Sequence, residues 1–296
     1  MFRYAASALA LLIAAAPATA QTDFSKVEIE VIETAGGVYM LQGAGGNIGL
    51  SAGEDGAFVI DDQFAPLTEK IMAAIKTVTD APVDYVLNTH YHGDHTGGNE
   101  NFGEAGATIV AHDNVRKRLK EGVKRENRTV PPSPEGALPV ITFSDTVTFH
   151  WNGHEVFVFH VDNAHTDGDG IVYFRDINVI HMGDVFFNGF YPFIDLAGGG
   201  GLNGYIAAQE YVLSMIDDDT KIIPGHGPLA GKADLERTLA TLKSVRAKVQ
   251  EAIDAGLNEE ETVKADPLKD LNETWGQGFI NGEAMTRTAY RSLAGE

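Results

Sequence analysis

The sequence predicts a mixed α/β (α+β) fold, and three observations carry that reading. Strand-like and helix-like stretches follow one another in the order strands, helix, strands, helix, told apart by their alternating or helical periodicity. An apolar run, Val83, Tyr85, Val86 and Leu87, ends in a tight polar loop that closes on Gly97-Gly98. An Asn152-Gly153 pair lies between two strand patterns, a strong hairpin signal. With 296 residues, 44% of them hydrophobic and 22% charged, the chain has the material for a large core.

The N-terminus begins Met1-Phe2-Arg3, continues through an apolar run over 8–16 and reaches Ala18-Thr19-Ala20, a small-x-small cleavage site. The apolar run is too short to span a bilayer comfortably. Residues 1–20 are therefore expected to be a secretory signal peptide. The mature chain then starts near Gln21, forms one domain over 21–296, and is periplasmic or secreted. A formal charge of −20 argues against nucleic acid, whose phosphates need Lys and Arg, and against an anionic membrane surface. The absence of cysteine excludes disulfides, thiolate metal sites and a Cys nucleophile.

Residues 27–33 alternate as a half-buried strand should, and Gly36-Gly37 turns the chain into a second strand over 38–41. Two more strands, 47–50 and 57–60, flank the Glu54-Asp55-Gly56 turn. Residues 66–78 read as a helix, with Pro66 in its first turn and Leu67, Ile71, Ala74, Ile75 and Val78 on one face. Strands follow at 83–88 and 108–111, then a basic helix at 112–123. Residues 124–139, with Arg125, Arg128 and four prolines, form a long irregular connection, either a binding loop or a solvated one. The hairpin strands are 146–151 and 155–161, and further strands are 171–174 and 179–181. Residues 188–204 alternate aromatic and glycine-rich stretches; they read as a substrate-facing loop or as one packing Phe190, Tyr191 and Phe193 into the core. A helix over 205–216, a strand over 221–223, and amphipathic helices over 233–255 and 281–293 complete the chain.

The chemistry concentrates in Thr89-His90-Tyr91-His92-Gly93-Asp94-His95. Imidazole and carboxylate are the ligand set for Zn²⁺ and related divalent ions. His90 and His92 are two apart, so on extended backbone they point the same way. Asp94 and His95 follow Gly93, where the chain can turn. The spacing suits two adjacent metals, one on His90 and His92, the other on Asp94 and His95.

This stretch resembles the His-x-His-x-Asp-His signature of the metallo-β-lactamase superfamily. Ala164-His165-Thr166, Met182-Gly183-Asp184 and Pro224-Gly225-His226-Gly227 follow in the family's order. The resemblance implies a four-layer αββα sandwich of the metallo-β-lactamase type with a dinuclear site, two Zn²⁺ per chain by default. His90, His92 and His165 would hold the first ion, Asp94, His95 and His226 the second, and Asp184 would bridge them. Asp94 could also orient the nucleophile. Asp61 is either the carboxylate the family places behind the ligands or a plain strand-end turn. His112, His150, His154 and His160 match no ligand position and are read as structural.

The implied chemistry is hydrolysis of a small carbonyl substrate, an ester, lactone or amide, by metal-activated water, whose pKa zinc lowers to roughly 7. Many zinc β-lactamases carry cysteine where this chain has Asp184, and a lysine where it has Phe187. In that respect the chain is more similar to hydroxyacylglutathione hydrolases and lactonases, whose bridge is aspartate. The expectation is an exported, broad hydrolase with β-lactamase-type activity. A thioesterase or lactonase is the alternative, and an iron-dependent oxidoreductase of the same fold a more distant one.

Overall fold

A computed structural model describes residues 23–124 and 129–295. The expected signal peptide and its cleavage site, and Arg125 and Arg128, lie outside the described residues. The chain opens with strands β1 (Glu30–Ala35), β2 (Val38–Gln42), β3 (Ile48–Gly53) and β4 (Gly56–Ile60), then helix α1 (Thr68–Lys76) and β5 (Val83–Asn88). Short helices α2 (Gly93–Thr96) and α3 (Asn99–Glu104) lead to β6 (Thr108–His112) and α4 (Asp113–Glu121). The 124–139 connection holds half of a small hairpin, β7 (Val123–Lys124) with β8 (Thr129–Val130), and is followed by β9 (Ile141–Phe143). Then come β10 (Thr146–Trp151), β11 (His154–His160), β12 (Gly170–Phe174), β13 (Val179–Phe187), α5 (Leu202–Met215) and β14 (Lys221–His226). Helices α6 (Lys232–Asp254), α7 (Glu259–Ala265), α8 (Lys269–Trp275) and α9 (Gly282–Ala294) finish the chain.

Two sheets organise these elements. One runs β1-β2-β3-β4-β5-β6-β9, the other β10-β11-β12-β13-β14. The alternation within each strand explains the layering. In β4, Phe58 and Ile60 join Val38, Met40 and Leu87 in the core between the sheets, where they meet Val158, Val172 and Ile223 of the second sheet. The intervening Ala57 and Val59 pack outward against Ile71 and Ile75 of α1 and Phe102 of α3. On the far side, Ile180, Met182 and Ile222 meet Ile206 of α5, Leu242 and Val245 of α6 and Met285 of α9. The architecture is the expected αββα sandwich. No helix among the described residues is long and apolar enough to cross a membrane.

Asn152 and Gly153, both at positive φ (53° and 80°), make the two-residue hairpin between Trp151 and His154. Several boundaries differ from expectation: β3, β13 and β14 each run three or more residues further than read. The strand read as 179–181 continues to Phe187, so Asp184 lies inside β13. The pairing with β14 shifts register on either side of Gly183, whose φ of 50° suits glycine. That irregularity redirects the strand and hides its continuation from simple alternation.

Candidate metal centre

The side chains that converge come from strand ends and the turns after them. Parallel pairs β4–β5 and β13–β14 supply most of them. Asp61 follows β4, the 89–98 loop follows β5, Asp184 lies in β13 and His226 ends β14. His165 comes from the turn between β11 and β12. Seven side chains fall into two groups with potential ligand atoms within 4.8 Å of one another: His90, His92, His165 and Asp184, and Asp94, His95 and His226. These are all seven residues expected from the sequence. His150 and His154 are elsewhere, the latter 2.6 Å from Asp176. His112 and His160 stack on each other at 3.9 Å.

The partners behind the histidines decide which nitrogen faces inward. His92 Nε2 is 2.9 Å from Asp195 Oδ2. A carboxylate only accepts, so Nε2 carries the proton and Nδ1 presents a lone pair. His165 Nδ1 donates to the Phe193 carbonyl at 2.8 Å, leaving a lone pair on Nε2. These two lone-pair nitrogens face each other at 2.9 Å, an arrangement that calls for a cation. Thr89 Oγ1 donates to Asp61 Oδ2 and so can accept from His90 Nδ1 at 3.1 Å. His90 Nε2 is then buried with no hydrogen-bond partner. Buried polar atoms without partners are rare and ask for an explanation such as an ion. The residues fit a divalent metal at this position.

Asp184 joins the two groups through separate oxygens. Oδ2 lies 3.3 Å from His165 Nε2 and 3.6 Å from His90 Nε2. Oδ1 lies 3.1 Å from His95 Nε2 and 3.3 Å from His226 Nε2. Asp94 Oδ2 closes the second group, 3.4 Å from His226 Nε2 and 3.7 Å from His95 Nε2. Of the two readings of Asp61, the structure supports the first. Its Oδ2 is 2.7 Å from His95 Nδ1, and its Oδ1 accepts the Thr89 N–H at 2.7 Å. Asp61 holds a φ of 62°, which costs a non-glycine residue on the order of 1–3 kcal/mol, and such outliers cluster at functional sites.

The electrostatics divide along the same line. Burial lowers the pKa of His90, His92 and His165, so these imidazoles are neutral ligands at neutral pH. Burial also opposes charge on His95 and His226, but the carboxylates win. Asp184, Asp61 and Asp94 hold His95 well above its ordinary value, and Asp184 and Asp94 raise His226 to about 9. Against the same burial penalty, the histidines keep Asp184 well below the usual carboxylate range, and His95 with His226 brings Asp94 to about 2. Without metal, protons on the second group occupy the place a cation would take.

A cleft of about 270 Å³ opens over the cluster, with Asp94, Asp184 and His226 in its lining. The 188–204 segment contributes less to it than its aromatics suggest. Tyr191 is fully buried in the second sheet's outer core; its N–H bonds the Trp275 carbonyl and its hydroxyl the Asn272 side chain. Phe193 does line the cleft. The glycines serve close approach more than adaptability: a Cβ on Gly200 would stand 2.2 Å from the His165 carbonyl oxygen. Phe187, where a lysine would stand in many zinc β-lactamases, is buried and stacks on His226 at 4.9 Å.

The family model described as the metallo-β-lactamase superfamily matches residues 42–227. The chain belongs to this superfamily. A hydroxyacylglutathione hydrolase from Polaromonas sp. (strain JS666 / ATCC BAA-500) is 28% identical over 162 residues, 54% of this chain and 55% of that protein. The chain thus matches about half the length of that relative. Among solved structures, the DIM-1 metallo-β-lactamase is 18% identical with a TM-score of 0.60, over 74% of this chain and 99% of that one. The sec-alkylsulfatase Pisa1 from Pseudomonas sp. is 15% identical with a TM-score of 0.67, over 89% of this chain and 50% of that one. At such identities these two speak for the fold alone. Superfamily membership together with the His/Asp cluster supports a metal-binding hydrolase.

Two residues of this superfamily member escape a reading by motif. Asp195, which accepts from both His92 and the Tyr91 hydroxyl, lies in the glycine-rich segment with no spacing signal. Phe279, between α8 and α9, lines the cleft from beyond the matched 42–227 region. Its neighbours Gly276, Gly278 and Asn281 mark a turn, but nothing local says where that turn points.

Proposed function

We propose that the chain is an exported zinc-dependent hydrolase with two ions per chain, acting on ester, lactone or amide carbonyls with broad specificity, β-lactams included. The observation that carries this reading is the convergence of two His/Asp groups on Asp184, each oxygen turned to a different group. Bound there, divalent ions supply Lewis acidity and make water a nucleophile at neutral pH. His90, His92 and His165 would hold one ion as neutral donors. Asp94, His95 and His226 would hold the other, with Asp184 offsetting the repulsion between the two charges. Asp94, ionised and on the cleft side, would accept a proton from the attacking water and orient it. Phe193 and Phe279 would screen the site from bulk solvent.

A thioesterase or lactonase is the second reading. Aspartate at 184, Phe187 in place of a lysine, and the resemblance to a hydroxyacylglutathione hydrolase favour it. Hydrolysis of a thioester, lactone, aryl ester, phosphodiester, secondary alkyl sulfate and β-lactam panel by the zinc-loaded protein separates the readings. No turnover of any carbonyl substrate would refute both, and iron as the bound metal would point to an oxidoreductase. Export is checked by the intact mass of the periplasmic protein: a chain beginning near Gln21 is expected, and one retaining residues 1–20 would refute it.

A further inference from the structure

Phe279 remains 62% exposed. Scattered exposed apolar residues are ordinary, but this one stands in the wall of the cleft. Its ring centroid lies 5.9 Å from His226, 5.8 Å from Phe187 and 5.9 Å from Phe190. Phe193 flanks the other ligand group, 5.7 Å from His92 and 5.9 Å from His165. Each half of the cluster thus has a phenylalanine of the cleft lining beside it, and Val130 of β8 adds a further apolar group to the lining. The polar groups of the lining are the ligand side chains and Tyr91, whose hydroxyl donates to Asp195. Among the described residues, no Lys, Arg, Asn, Gln, Ser or Thr side chain lines this cleft. A substrate group beside Phe193, Val130 or Phe279 meets apolar surface. Covering the exposed face of Phe279 removes that surface from water, which favours binding.

We propose that Phe279 and Phe193 form an apolar subsite for an uncharged hydrocarbon or aromatic substituent of the substrate, and that Phe279 sets the size of substituent preferred. Its place in a reaction rests on the hydrolase reading above; the binding of an apolar group does not. The preferred substrates are then neutral esters, thioesters or lactones with a sizeable apolar arm. The residue that selects them comes from the stretch between α8 and α9, outside the part of the chain the family model matches.

The test uses the zinc-loaded full chain and p-nitrophenyl acetate, butyrate and octanoate. Phe279→Ala should lower kcat/KM for the octanoate by about tenfold relative to the acetate, through KM. Phe279→Leu should recover most of the loss. Binding of the neutral probe N-phenyl-1-naphthylamine, followed by its fluorescence, should weaken by about tenfold in Phe279→Ala. It should be unchanged in Tyr211→Ala, which removes an aromatic of α5 that is 51% exposed. Turnover with an unaltered chain-length profile and unaltered probe affinity in Phe279→Ala overturns the subsite and spares the hydrolase reading. Probe binding that depends on Phe279 without turnover of any ester upholds the subsite and overturns the ester branch of the hydrolase reading. Neither turnover nor probe binding in the unaltered protein overturns both.

Discussion

Asp195→Asn is a nearly isosteric change that should weaken metal binding by flipping or straining one histidine. Asp195 Oδ2 accepts from His92 Nε2 at 2.9 Å and from the Tyr91 hydroxyl, while Oδ1 accepts the Gly198 N–H at 3.0 Å. An amide cannot serve both sides. If its oxygen keeps the Gly198 bond, its NH₂ faces His92 Nε2 and drives the proton to Nδ1, removing the lone pair from the metal position. If its oxygen keeps His92, its NH₂ opposes the Gly198 N–H in a site where Asp195 is only 2% exposed. Either way about one charge-assisted hydrogen bond is lost, roughly 1.5–3 kcal/mol. That range agrees with the roughly 10–100-fold loss of affinity seen when outer partners of ligating histidines are removed. Competition for zinc against a chromophoric chelator reads it directly. The weaker-binding equivalent should belong to the His90, His92 and His165 group. Tyr91→Phe, which leaves the carboxylate in place, should cost less. Unchanged zinc affinity in Asp195→Asn would refute the argument that this carboxylate sets the tautomer of His92.

Asp184→Ala removes an oxygen from each ligand group at once, so zinc content should fall below two per chain and hydrolysis by more than about 100-fold. His150→Ala and His154→Ala should leave zinc content unchanged; elemental analysis of the three variants checks both statements. The two groups should also differ in pH dependence. Zinc must displace protons from His95 and His226, whose pKa values are raised, the latter to about 9. Affinity of that group therefore falls as pH drops below about 9, by roughly two to three orders of magnitude near pH 6 for His226 alone. The lowered pKa values of His90, His92 and His165 leave the other group nearly insensitive over that span. Zinc titrations at both pH values should show two tight equivalents at the higher and one at the lower. Equal weakening of both equivalents would contradict this division.

The ligand loop was legible because its chemistry is local: four of the seven candidate ligands lie in a six-residue stretch after a clean apolar strand. The Asn152-Gly153 hairpin and β5, Val83–Asn88, were legible for the same reason. His165, Asp184 and His226 entered only through the superfamily resemblance, since nothing in their spacing brings them to one point. The sequence left Asp61 between two roles because a strand-end carboxylate looks alike in either. Its bond to His95 spans 34 positions, and that of Asp195 to His92 spans 103, distances at which periodicity carries no information. The loop aromatics at 190, 191 and 193 failed as a group because composition says nothing of direction: Tyr191 turned into the core and Phe193 toward the cleft. Phe279 lines the cleft from a separate turn.

The central claim is a pair of metal positions sharing Asp184. Anomalous diffraction at the zinc edge from crystals of the zinc-loaded protein measures it most directly. Two peaks are expected, one within coordination distance of His90, His92 and His165, the other of Asp94, His95 and His226, both within reach of Asp184. A single fully occupied peak at saturating zinc, or two peaks of which one lacks any contact with Asp184, would contradict the account.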